Sequence, residues 1–193
     1  MNFIIIHGVY ANPQSNWFPW LKNKLETNGH EVIIPKFPTP LNQNLESWLR
    51  VMNKFEDKVG KETILIGHSL GAAFILDYLE QANKKIKAAF LVSGFHRQLG
   101  SPYDEINKTF VDKDFDWEKI RKNCGKFFLF CSDNDQYISL DVSKELAKKL
   151  GAEINLIKNG SHLNKEAGFK EFPFLAEKLE ITYPNSPTYE SLR

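Results

Sequence analysis

Cysteine is almost missing from this chain: 193 residues carry only Cys124 and Cys131. Cys131 falls inside an apolar run and Cys124 just before it, so two free thiols are expected rather than a bridge. An excess of either charge is missing too. Basic side chains number 25 and acidic ones 24, and no basic block stands out. The electrostatic footprint of a nucleic-acid or anionic-membrane binder is therefore absent. Long hydrophobic runs are also lacking. The N-terminal run at residues 3–6 is far too short for a signal-peptide core, and nothing approaches the roughly 20 apolar residues of a membrane-spanning helix. These absences lead to the expectation of a cytoplasmic protein, with neither nucleic acid nor membrane as a partner. There is no internal repeat and no linker composition. A chain of this length can bury roughly 70% of its unfolded surface, so one domain over residues 1–193 is expected, needing no metal to stay folded.

What is present is alternation. Short runs rich in β-branched and aromatic residues lie at 2–6, 31–34, 63–66, 88–92, 127–131 and 153–157, as expected for strands buried on both faces. Helical patterns fall between them, near 17–28, 45–58, 70–81, 116–122 and 139–150, with a last one near 170–179. Gly29 and Gly151 stand just past two of these, where a left-handed cap residue is wanted. Strict β-α alternation predicts an α/β fold with a parallel sheet and helices on both faces. Sites in such sheets form beyond the carboxyl ends of the strands, near the point where strand order reverses. Two segments break the rhythm. Residues 95–115 read as a long polar connection, and 182–193 as a proline-punctuated, mobile tail.

The most informative run is Gly67-His68-Ser69-Leu70-Gly71, between the apolar stretches 63–66 and 72–76. Strand, sharp turn and helix make the nucleophile elbow, with serine at the apex. Strand and helix pass so close there that side chains two positions either side of the serine would collide, and glycine removes the clash. A serine hydroxyl attacks only when a histidine takes its proton, and that histidine needs an acid to hold its tautomer. In this arrangement the partners follow in the order serine, acid, histidine.

Five histidines compete for the base. His7 is locked into His7-Gly8 at the end of the first strand. His30 falls at the opposite end of the sheet, and His68 sits in the elbow with its ring expected to point away from the nucleophile's pocket. His162, in the glycine-flanked loop after the sixth strand, is preferred, with His96 as the alternative. Asp135 and Asp133 both suit the acid. Asp135 is preferred because Ile138 could anchor its loop under the next helix. For the oxyanion, the amide of Leu70 is one donor. The second is expected from the loop after the first strand, at Val9 with Tyr10 next. Tyr10, Trp17, Phe95 and Tyr137 are candidates to line an apolar substrate pocket, whereas Trp48 and Trp117 read as packing residues.

With those residues in view, the chain resembles the small serine hydrolases of the retinoblastoma-binding protein 9 family. The landmarks are His7-Gly8, the run from Ser15 to Leu21, the elbow, Leu91 to Phe95, Asp116 to Ile120, Asp133-Asn134-Asp135 and Gly160-Ser161-His162. The resemblance implies an α/β-hydrolase fold with sheet order 2-1-3-4-5-6 and no large lid. It also implies Ser69 as nucleophile, Asp135 as acid and His162 as base. One departure concerns partners: the animal member of the family is named for an L-x-C-x-E pocket-protein motif that this chain lacks, and Leu129 to Asp133 approaches it only inside an expected buried strand.

Other signals carry little. Asp112, Asp114 and Asp116 imitate the start of a calcium loop, but Trp117 and Asn123 occupy its glycine and glutamate positions, so a solvated acidic turn is expected and no metal. Gly60-Lys61 lacks the rest of a phosphate loop, and no G-x-G-x-x-G follows the first strand; no cofactor is expected. The expected activity is hydrolysis of a small carboxylic ester, thioester or amide. The rivals are a catalytically silent binding protein and an acyltransferase or amidase on the same scaffold. Neither a monomer nor a dimer is favoured.

Overall fold

The computed structural model describes residues 1–184. In chain order the elements are β1 (Asn2–Ile6), α1 (Phe18–Thr27), β2 (Glu31–Ile33), α2 (Leu45–Met52), β3 (Thr63–His68), α3 (Leu70–Gln81), β4 (Ala88–Val92), α4 (Asp104–Val111), α5 (Trp117–Lys122), β5 (Phe127–Ser132), α6 (Leu140–Leu150), β6 (Glu153–Ile157) and α7 (Pro173–Thr182). The strands form one sheet of order β2-β1-β3-β4-β5-β6, and every pairing is parallel. This is the order the resemblance implied. The chain reverses direction across the sheet at β1, which has β2 on one side and β3 on the other.

Side-chain alternation splits the core into two layers. Phe3 and Ile5 of β1, Ile64 and Ile66 of β3, and Phe90 of β4 face α1 and α7. Ile4, Ile6, Leu65 and Leu91 face the opposite way, toward α2, α3 and the helices that follow. Successive strand residues point to opposite faces, so both layers need apolar residues and the inner strands read as unbroken apolar runs. Stacking of Phe90 on Phe128 at 4.4 Å between ring centroids locks β4 to β5 on the first face.

Three expectations need correction. The connection at 95–115 is not wholly loop, because it contains α4. Ile106 and Phe110 are spaced one helical turn apart, and Asp104 accepts the amides of Leu99, Gly100 and Ser101, which organises the helix start. Ser101-x-x-Asp104 has capping-box spacing, a signal available in the sequence. Burial on both faces holds for the inner strands only: on the end strand β6, Ile154 and Leu156 remain 42% and 45% exposed. Of the expected tail, Thr182 closes α7 and Tyr183 packs edge-on to Phe90; residues 185–193 lie outside the described residues. Cys124 and Cys131 are both free and buried.

Candidate active site

Ser69 sits between β3 and α3 with φ 56° and ψ −122°, a left-handed backbone that a non-glycine residue adopts only when its surroundings enforce it. The enforcement is visible. Its amide donates to the carbonyl of Val92 at 2.9 Å, and its carbonyl accepts from Ala72 at 2.9 Å. The flanking glycines are required by close approach: a Cβ on Gly67 would lie 2.6 Å from the Ala72 nitrogen, and one on Gly71 would lie 2.2 Å from the Ile6 carbonyl oxygen. Both obstacles are backbone atoms and cannot swing aside, but the one at Gly71 belongs to β1, not, as expected, to the strand that leads into the elbow. Gly71→Ala should therefore cost roughly 3 kcal/mol of stability, read as a lowered urea midpoint at unchanged m-value; a midpoint matching the parent would contradict the elbow packing.

The loop after β5 grips the loop after β6 almost residue by residue. Asp133 accepts the Asn159 amide at 2.7 Å, the Ser132 hydroxyl accepts the Gly160 amide at 2.9 Å, and the Asn134 carbonyl accepts the Ser161 amide at 2.7 Å. Next in line, His162 Nδ1 lies 2.9 Å from Asp135 Oδ2. The other Asp135 oxygen accepts the amides of Tyr137 at 2.9 Å and Ile138 at 3.1 Å. Of the two sequence candidates, then, Asp135 meets the imidazole and Asp133 holds the backbone of its loop. Ile138 is buried beneath, as expected from its position.

Burial opposes ionisation of Asp135, but the His162 hydrogen bond and charge, with the two turn amides, outweigh it and hold the carboxyl below its ordinary 3.8. A carboxyl lowered on folding stabilises the fold above its unfolded value, and that contribution is lost as pH falls through the folded value. Asp135→Asn should accordingly flatten the fall of melting temperature below about pH 4. An acid limb identical to the parent's would show that the pair contributes nothing to stability.

His68 does not point away from this region, contrary to expectation. Its ring packs edge-on against His162 at 5.0 Å, and its Nε2–H donates to the His162 carbonyl at 2.9 Å. The Ser93 hydroxyl donates to the same carbonyl at 3.2 Å. Burial, reinforced by the neighbouring His162, pulls His68 down to about 3, so it stands as a neutral donor. Trp17 also differs from expectation: it is fully buried between α1 and α7, and its indole N–H donates to the Leu163 carbonyl at 3.0 Å. Trp17 steadies the His162 loop from behind and does not line the pocket. The rival base His96 is spent elsewhere, with Nε2 3.2 Å from Glu145 and its ring against Trp117.

At the end of β1, His7 has both ring nitrogens assigned. Nδ1 donates to the Gly8 carbonyl at 2.9 Å, and Nε2 accepts the Phe37 amide at 3.0 Å. The following amides differ. That of Tyr10 donates to the Thr39 hydroxyl at 2.9 Å and is committed, whereas Val9 borders the same cleft as Ser69. Leu70 opens α3, where the first-turn N–H groups have no partner within the helix.

Ser69, Val9, Tyr10, Phe95, Tyr137 and His162 all border one cleft of about 390 Å³. Tyr137 packs edge-on to His162 at 4.9 Å. The sequence reading missed Tyr103 and Asn107, contributed by the α4 region, and the polar side formed by Asn16, Asn164 and Lys165. The arrangement joins a hydroxyl held at a strained apex, an imidazole anchored on a carboxylate, and backbone donors at a helix start. Together these are the parts needed for acyl transfer through a covalent intermediate. Among the described residues, no group of three or more histidine, cysteine, aspartate or glutamate side chains is arranged to hold a metal ion, and no helix is long and apolar enough to cross a membrane.

Known proteins share this architecture. The YdeN protein of Bacillus subtilis is 33% identical over 177 residues, covering 91% of this chain and 92% of that one. Its crystal structure superposes with a TM-score of 0.88, over 93% of this chain and 97% of that chain. Serine hydrolase RBBP9 of Rattus norvegicus is 29% identical over 147 residues, covering 76% and 77% of the two chains. More distant structures share the α/β-hydrolase fold alone. Polyneuridine aldehyde esterase, for instance, is 14% identical with a TM-score of 0.67, over 94% of this chain and 98% of its own. The serine hydrolase family model matches residues 3–180, a span that runs from β1 through the elbow, both gripping loops and nearly all of α7, and the chain is a member of that family of enzymes.

Proposed function

We propose that the protein hydrolyses small carboxylic esters through an acyl-enzyme formed on Ser69. The observation that carries this reading is the meeting of Ser69 and His162 on one cleft, with His162 Nδ1 held 2.9 Å from Asp135. With Nδ1–H committed to the carboxylate, Nε2 is the nitrogen left to accept the Ser69 proton. The serine oxygen then bonds to the ester carbon, and the carbonyl π electrons move to its oxygen, which the Leu70 and Val9 amides receive. Collapse expels the alcohol with the proton returned from Nε2. Water repeats the sequence with the acyl-enzyme as acceptor, releasing the carboxylic acid and restoring the serine.

Small esters are favoured because the cleft is compact and carries apolar walls from Phe95 and Leu99. Esterases also recur among structures sharing the fold. A fluorophosphonate probe should label the protein at one site, with the added mass on the peptide containing Ser69. An unlabelled, folded protein would favour the silent binding reading instead. Release of acyl-amine products in the presence of an amine acceptor would favour the acyltransferase reading.

A further inference from the structure

The cleft contains a polar group that the reaction above does not use. Asn107, on α4, is only 4% exposed yet borders the cleft with Ser69. Its orientation follows from one unambiguous acceptor. The Gln43 side-chain nitrogen lies 3.0 Å from the Ile106 carbonyl, which can only accept, so that atom is the NH2. The same NH2 lies 3.0 Å from Asn107, whose facing atom must then be Oδ1. The Gln43 oxygen accepts the Thr39 hydroxyl at 2.6 Å, and Thr39 in turn accepts the Tyr10 amide at 2.9 Å. Every donor and acceptor in this chain is assigned. What remains is the Asn107 NH2, which has no partner among the described residues and is not sealed from solvent like the buried orphan atoms of Asp77 and His96.

A nearly buried amide held by its oxygen, with both N–H groups left to a cleft, is built to receive an acceptor. Resting on the hydrolase reading, we infer that Asn107 is a specificity-determining residue that donates to an oxygen in one arm of the substrate. The preferred ester then carries an ether, hydroxyl or carbonyl oxygen within an otherwise apolar arm, which lies against Phe95, Leu99 and Tyr103. The Gln43–Thr39 relay holds the donor in place and ties α4 to the loop carrying Val9.

The test uses two isosteric comparisons. For the acyl arm, p-nitrophenyl hexanoate is compared with analogues in which an ether oxygen replaces successive chain methylenes beyond the α carbon. For the alcohol arm, butyl acetate is compared with its methoxyethyl counterpart. Intrinsic reactivity cancels when the ether-to-hydrocarbon ratio of kcat/KM is compared between variants. Asn107→Leu removes donor and acceptor together. Asn107→Asp keeps an oxygen for Gln43 but turns a carboxylate toward the cleft. In one arm both variants should lower the ratio about tenfold, the fold-change expected for one lost hydrogen bond to a neutral group, with the aspartate variant lower still. A ratio unmoved in both arms overturns the inference. So does a fall in the leucine variant alone, which would mean that the effect travels through the relay. Fluorophosphonate labelling of the parent separates the two layers: no labelling defeats the hydrolase reading itself, whereas labelling with unmoved ratios defeats only the role of Asn107.

Discussion

Ser69→Ala should lower kcat toward p-nitrophenyl acetate by about a million-fold, near the loss seen when the nucleophile of a serine triad is deleted. The fold should survive. The contacts that hold the elbow are made by the backbone of Ser69, to Val92 and Ala72, and alanine keeps both. A variant with the parent's melting temperature and no turnover is the expected pair of measurements. Turnover surviving within a hundredfold of the parent would remove Ser69 from the reaction and leave the cleft without a nucleophile.

The second large effect separates two aspartates only two positions apart. Asp135→Asn should lower kcat about ten-thousand-fold. The amide can present its NH2 to Nδ1 and so favour the tautomer with the proton on Nε2, where the lone pair is needed. Asp133→Asn should change kcat by no more than about threefold, because the asparagine carbonyl can still accept the Asn159 amide that Asp133 now holds at 2.7 Å. His162→Ala should fall with Ser69→Ala, as members of such a set act together. Equal losses from the two asparagine variants would mean that loop geometry, not the imidazole's partner, is what the acidic run supplies.

The sheet is legible in the sequence, because alternating apolar runs specify a parallel sheet. The glycine-flanked elbow points to Ser69 as the candidate nucleophile, and an aspartate after β5 and His162 in its glycine-flanked loop satisfy the expected chain order. Asp133 and Asp135 lie two positions apart in the same loop. Both have the residue type and the loop; Ile138 and the family resemblance favour Asp135 in the sequence, and the direction of each carboxylate separates them in the fold.

Chain-local chemistry therefore determined only part of the elbow. Gly67 is demanded by the clash of a strand with its own following helix, between residues at most a few positions apart, whereas Gly71 is demanded by the Ile6 carbonyl of β1, far away along the chain. Contacts between distant segments decided the rest. His68 turns toward His162 because a carbonyl 94 residues away accepts a hydrogen bond from its ring N–H. Trp17 is claimed by the Leu163 carbonyl instead of the cleft, and α4 reaches the loop after β1 through Gln43 and Thr39. Spacing and residue type cannot reveal such pairings, because a hydrogen bond depends on where two groups meet in space, and the packed sheet alone brings them together.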